Sequence, residues 1–347
     1  MLVRRVSFRS FGAQSRTERR AGRSNERGAA LLTVLLLVAV ISVLAATALE
    51  RLRLSTRLAQ NGAAIEQARA FAYAAETAAT IRVQAILDQD AARTTLAGGW
   101  AGRPYTLPVP GGIATLTVED GGNCFNLNGM VAQTGPGVYV ARPDLITEFV
   151  RLMKLIGIPG QTAEGIAASS ADWIDTDTNP LPMGAEDATY LGRQLPYRTA
   201  NTLMTDPSEL RAVAGVTPEI YAKIAPWICT LPVAQPSRIN VNTLQPEQAP
   251  LFAMLFPDTM DVGKARALLL KRPADGYDST NEFWNLPTLN GGLVADQQAQ
   301  AQTDVRTYWF SMTIDVTAFG VQLTQTDLLD ASGQRVRIVS RQWTEPA

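Results

Sequence analysis

The chain has 347 residues, enough for one large or two ordinary domains, and its 31 basic and 32 acidic side chains nearly cancel. It has no histidine and two cysteines, which excludes Ser-His-Asp and Cys-His catalysis and ordinary zinc sites, so any metal must be held by oxygen, as calcium or magnesium is. The charges are unevenly spread. Residues 1–28 hold eight Arg against Glu18 and Glu26, leaving 23 basic and 30 acidic groups downstream. An acidic body repels phosphate backbones, so nucleic acid is not an expected partner.

From Ala29 to Leu49 there are 21 residues without a charge. As a helix they span roughly 30 Å, the thickness of a hydrocarbon core, and the arginines before them would hold that end in the cytoplasm. Ala46-Thr47-Ala48 fits a signal-peptidase pattern. Yet helix-forming sequence continues to about Ala97 without a proline and with a single glycine, Gly62. Leu52, Leu58, Ile65, Ala68, Phe71, Ala72, Ala75, Ala79, Val83 and Ile86 recur at three- and four-residue steps, one apolar stripe. The spacing predicts one long helix over 29–97, apolar all round at first and amphipathic from Glu50.

Residues 96–112, rich in Gly and Pro, read as loop. Residues 113–120 alternate as a strand does. So do residues 308–317, where Tyr308, Phe310, Met312, Ile314 and Val316 share one face, and further strands follow from Val321 and over 334–343. These strands and the helix predict an α+β layout, an antiparallel sheet packed on the long helix. The intervening residues predict helices over 142–158, 160–175, 206–215, 217–228, 243–256 and 259–272, an all-α domain inserted into the sheet. Phe125-Asn126-Leu127-Asn128 and Ile239-Asn240-Val241-Asn242 repeat one phrase ahead of two helical sections. The helix-hairpin-like 210–224 has Arg211 and Lys223 offset by Glu209 and Glu219, which favours a structural hairpin over a DNA-uptake module.

One loop carries ligand chemistry. Counted from Asp175, oxygen ligands fall at position 1 (Asp175), 3 (Asp177), 5 (Asn179), 7 (the Leu181 carbonyl) and 12 (Glu186), the EF-hand spacing, with Asp172 and Asp187 as substitutes. The glycine an EF-hand needs at position 6 is Pro180, so the backbone path must differ. Five carboxylates in one loop suit a structural calcium cage better than an acid and a base of separated pKa, and no enzymatic activity is expected. Cys124 and Cys229 lie downstream of the apolar run. If that part is exported they can pair; otherwise they are two buried thiols.

The junction Glu26-Arg27-Gly28-Ala29, a basic leader ending in Gly before an apolar helix, resembles the processing site of type IV prepilins and type II secretion pseudopilins. The resemblance implies that a prepilin peptidase cuts between Gly28 and Ala29 and that Ala29 is then methylated. Most members have Glu at the fifth mature residue, which here is Thr33. That departure, the chain length, the helical insert and the INVNT phrase resemble the minor pseudopilin K family of type II secretion (general secretion pathway protein K). The implied organisation is a leader (1–28), a membrane or fibre-core helix (29–49), its amphipathic continuation (50–97), the first part of a pilin-like sheet (98–122), the insert (123–305) and the last strands (306–347). The implied role is a single-pass inner-membrane protein with a periplasmic, calcium-stabilised body. It would cap the tip of a pseudopilus with I and J type minor pseudopilins, help start its assembly, and meet secretion substrates or the outer-membrane channel. A membrane-anchored calcium-binding assembly module unrelated to secretion is the other reading of the same features.

Overall fold

The computed structural model describes residues 19–257, 259–290 and 297–344. Most of the leader, residues 1–18, lies outside them. The chain divides into two compact units, residues 1–66 and 67–347.

Helix α1, Arg19–Gln89, begins in the first unit. There its large apolar side chains from Leu31 to Leu58 are exposed, as in Leu36. Among the described residues this is the one helix long and apolar enough to cross a membrane. It stops at Gln89, eight residues before the expected end. Asp90 ends it, because its carboxylate accepts the Ala92 and Arg93 amides and offers the backbone an alternative to the helix.

In the second unit, the rest of α1 packs on a sheet. Strands β1 (Tyr105–Val109) and β2 (Gly112–Asp120) precede the insert; β9 (Trp309–Ala318), β10 (Val321–Asp330) and β11 (Arg337–Thr344) follow it. Their order is β1-β2-β9-β10-β11, with antiparallel neighbours throughout. Ala68, Ala72, Ala75 and Ala79 let the helix backbone approach the sheet, where Phe310, Met312, Ile314 and Val316 meet it. Arg341 of β11 fixes the helix with two bonds to the Glu76 carboxylate, 2.7 and 2.8 Å. Strand β1 occupies part of the stretch expected to be loop. It is an edge strand, so the missing amide of Pro108 costs it little.

The insert leaves the sheet after β2 and returns to β9, the strand paired with β2 (Leu116 opposite Ile314). It has its own core and is built twice over. The first half holds β3 (Phe125–Asn126), the hairpin β4 (Val131–Gly135) and β5 (Val138–Ala141), helices α2 (Pro143–Leu155), α3 (Gly160–Ile174), α4 (Asp187–Leu191) and α5 (Pro218–Ile224), and β6 (Ile228–Cys229). The second holds β7 (Ile239–Asn240), α6 (Ala249–Ala253), α7 (Val262–Leu270), α8 (Thr280–Trp284), α9 (Pro287–Asn290), α10 (Gln297–Ala301) and β8 (Thr303–Asp304). In each half the strand bearing the Asn phrase pairs in parallel with the strand near that half's end, β3 with β6 and β7 with β8.

The two Asn phrases do the same work. Asn126 and Asn240 each accept the backbone amide of the Asn two residues on. Asn128 then accepts the Met204 amide and donates to the Met204 carbonyl, and Asn242 does both with Tyr277. Two residues past each latch stands a helix-capping side chain, Asp206 or Ser279. Three residues further a Glu reaches back to the backbone, Glu209 to Thr205 and Asp206 or Glu282 to Asp278. The expected helix over 206–215 is a 3₁₀ turn at Pro207–Ala212, because Tyr197 and Tyr190 take the Ala212 carbonyl and the Ala214 amide; that over 243–256 is a 3₁₀ turn followed by α6, since Pro250 has no amide with which to continue a helix through it.

Cys124 and Cys229 form a disulfide beside the β3–β6 pair, with Cα atoms 5.8 Å apart. Asp120, at the end of β2, accepts the hydroxyls of Thr243 and Thr307 and so ties the sheet to the second half; burial pushes its pKa up to about 6.

Candidate functional site

Helix α3 ends at Ile174, and Asp175 caps it in extended conformation while its amide still donates to Ala171. Pro180 and Pro182 forbid a new helix. Met183 takes a left-handed conformation (φ 66°), and the Gly184 amide donates to the Leu181 carbonyl, closing a turn. The turn sits on Asp172, whose two oxygens accept the Leu181 amide at 3.1 and 3.2 Å. Gly184 is required there, because a Cβ would stand 2.0 Å from an Asp172 oxygen. Thr176 pins the other side of the loop to Tyr139 of β5.

This path brings Asp175, Asp177 and Glu186 together, with one carboxylate oxygen from each lying within 4.8 Å of the others. Asp175 is 2% and Glu186 4% exposed, and each has a buried oxygen, Asp175 Oδ1 and Glu186 Oε1, with no hydrogen-bond partner. Buried carboxylates so placed resist ionisation. Burial first, then the charges of Asp177, Asp172 and Glu186, push Asp175 up to about 7. Burial likewise raises Asp172 to about 6 and raises Glu186. A divalent cation would reverse that repulsion and engage the two orphan oxygens, so the residues present fit one.

The other expected ligands differ in placement. Asn179 is exposed, and its amide donates to Asp177. Leu181 already uses its carbonyl for the Gly184 turn. Asp187 is turned elsewhere: its carboxylate accepts the Thr199 amide (3.1 Å) and Arg198 (2.7 Å). Desolvation opposes its ionisation, but the Thr199 bonds and Arg198 outweigh it and hold its pKa below the usual carboxylate value. Thr199 also lies against the cluster, its hydroxyl 3.3 Å from Glu186 Oε2. No spacing signal marks Thr199, because it returns to the loop from 13 residues beyond Glu186.

At the other end of the chain, Gly28 and Ala29 lie within α1, exposed. The Thr33 hydroxyl donates to the Ala30 carbonyl at 2.9 Å, so this polar group is satisfied by its own helix and needs no partner in an apolar setting.

Comparison with known proteins matches two segments, residues 123–233 and residues 239–306, to the family described as Type II secretion system (T2SS), protein K. These segments contain the two halves of the insert. The chain is 34% identical over 322 residues to the type II secretion system protein K of Pectobacterium carotovorum subsp. carotovorum, covering 92% of this chain and 97% of that one. It is 35% identical over 321 residues to that of Klebsiella pneumoniae, covering 92% and 96%. Among solved structures it is similar to a chain of the GspK-GspI-GspJ complex from the enterotoxigenic Escherichia coli type 2 secretion system. The TM-score is 0.70 and the identity 31%, over 81% of this chain and 97% of that one.

Proposed function

The chain belongs to the type II secretion system protein K family, whose members are minor pseudopilins, and from that premise we propose that it caps the tip of a periplasmic pseudopilus in complex with I and J type minor pseudopilins. The leader is cut between Gly28 and Ala29 by a prepilin peptidase, and Ala29 is methylated. Residues 29–49 hold the protein in the inner membrane and later bundle with the helices of its partners. Its role is structural, not enzymatic.

The observation that carries this reading is Thr33. Inside lipid an N-terminal amine seeks a counter-charge, since an unpaired charge there is costly. A Glu at this position would serve the amine of a preceding subunit, and Thr33 spends its only polar group on Ala30. A residue that offers nothing to a preceding subunit suits the first one. The insert supports the same reading, since its bulk leaves the sheet between two neighbouring strands. From the tip the protein would help start assembly and meet secretion substrates or the outer-membrane channel. The second part of the proposal is a structural calcium ion held by Asp175, Asp177 and Glu186, which would fix the loop between α3 and α4.

Co-expression of the full chain with its I and J partners, followed by purification and N-terminal sequencing, tests the assignment. The expected result is a ternary complex whose protein K subunit begins at methylated Ala29. A chain that begins at Met1 or Leu49, or one that recovers neither partner, overturns it. Calcium is expected to raise the melting temperature of the wild type and leave Asp175→Ala/Asp177→Ala unchanged; an equal rise in both sinks the site.

A further inference from the structure

Just beyond its apolar run, helix α1 turns basic. Ala29 to Leu49 carry no charge, and residues 50–65 then hold Arg51, Arg53 and Arg57 against the single acid Glu50. All three arginines are exposed within the first unit, and none makes a hydrogen bond or an ion pair with a described residue. Leu52, Leu54 and Leu58, which alternate with them, are exposed as well.

With the leader in the cytoplasm, these arginines stand on the translocated side, where positive charge close to a span opposes the orientation. The eight arginines of residues 1–28 outweigh them, so the orientation holds, but orientation gives no reason for the three. Their depth does. At 1.5 Å per residue they lie about 3, 6 and 12 Å beyond Leu49, against a headgroup layer of roughly 5–7 Å on each face of a bilayer. Helical side chains lean toward the helix N-terminus, which here is toward the span, so the long Arg57 side chain reaches back to that layer. Arg53 and Arg57, one turn apart, share one side of the helix, and Arg51 projects from the other.

Removal of the leader makes these groups matter more. The proposed cut after Gly28 takes away all eight leader arginines and leaves one amine at the inner end of the span. The charged hold on the mature helix then lies chiefly at its outer end.

We propose that Arg51, Arg53 and Arg57 form a collar that binds the phosphates of anionic phospholipids at the outer face of the membrane. Guanidinium groups meet phosphate oxygens in pairs, and the leucines between them enter the acyl layer beside the same lipids. The inference rests on the anchor and cleavage readings and adds a ligand to them.

The test uses the whole chain, co-expressed with prepilin peptidase and placed in nanodiscs of equal parts phosphatidylglycerol and phosphatidylcholine. Native mass spectrometry counts the lipids that stay bound, and the mass of the chain shows whether residues 1–28 are gone. The wild type is expected to retain phosphatidylglycerol about fivefold or more over phosphatidylcholine, and Arg51→Gln/Arg53→Gln/Arg57→Gln to lose that preference. Arg82→Gln/Arg103→Gln/Arg335→Gln removes three exposed arginines of the second unit and is expected to keep it. Equal retention by the wild type and the collar variant, or an equal loss in the second variant, overturns the collar. So does displacement of the bound lipid by an equal concentration of glycerol phosphate, which would make this a phosphate site and not a membrane one. A chain that does not enter the nanodisc overturns the anchor reading and the collar with it. A chain that keeps residues 1–28 overturns the cleavage reading alone, and the comparison of the variants still decides the collar.

Discussion

The two halves of the insert share a plan and differ in one stretch. Each opens on a strand that ends in Asn, latches a second Asn two residues on to one distant residue, caps a short helical turn two residues past that residue and closes with a parallel partner strand. Between the second helix and the latched residue, however, the first half inserts residues 175–203 and the second only residues 271–276. The short version is basic where the long one is acidic. Arg272 donates to the Val241 and Leu244 carbonyls and closes the connection. The carboxylates of the long version are the groups that the proposed cation would hold.

The largest effect is expected where the halves agree. Asn128→Ala and Asn242→Ala each strand a buried amide and carbonyl, on Met204 or Tyr277, and each should destabilise the chain by about 3 kcal/mol. Denaturant unfolding of the two variants measures this. A loss at one latch and none at the other would break the equivalence of the halves.

A smaller effect is expected at the seam between them. Glu148 of α2, in the first half, accepts the side-chain amides of Gln302 (2.8 Å) and Gln298 (3.1 Å) from the second. Burial, opposed by Gln302, Arg151 and Gln298, pushes it up to about 7 from an ordinary 4.5. The folded state therefore holds this proton more tightly than the unfolded chain. The stability it contributes is fully present below about pH 4.5 and is lost as pH rises through about 7. Asp120 and Asp327, both pushed up to about 6 by burial, act in the same direction. Melting measured from pH 5 to pH 8 should show stability falling in the wild type and falling less in Glu148→Gln. An identical fall in the variant would remove Glu148 from the account.

Legibility in the sequence followed the range of the interactions. The sheet and the helix on it have period 2 and period 3.6, and Phe310, Met312, Ile314 and Val316, like Ala68, Ala72, Ala75 and Ala79, are buried as those periods predict. The spacing of Asp175, Asp177 and Glu186 was likewise visible. The Asn latches were not, because an Asn before a helix reads as a cap or turn. Nothing local says that Asn128 bonds Met204, 76 positions away. The same reason hid Thr199 and the two tyrosines, Tyr197 and Tyr190, that take the Ala212 carbonyl and the Ala214 amide and shorten the helix expected over 206–215. Strand β1 was missed for the opposite reason. Its Pro and flanking Gly look like loop, and only its edge position makes them acceptable in a strand.

The smallest expected effect compares one surface ion pair from each half. Arg266 and Glu247 of the second half are both more than half exposed, so their attraction is screened and offset by side-chain entropy. Arg266→Ala should leave the unfolding midpoint where it was. Arg198 is also more than half exposed, but its partner Asp187 is only one-quarter exposed and already held by the Thr199 amide, so only one side chain must be ordered to form the pair. Arg198→Ala should therefore lower the midpoint slightly but measurably, and more so at low salt. If the two arginines prove equally dispensable at low salt, the burial of Asp187 does not distinguish the two pairs.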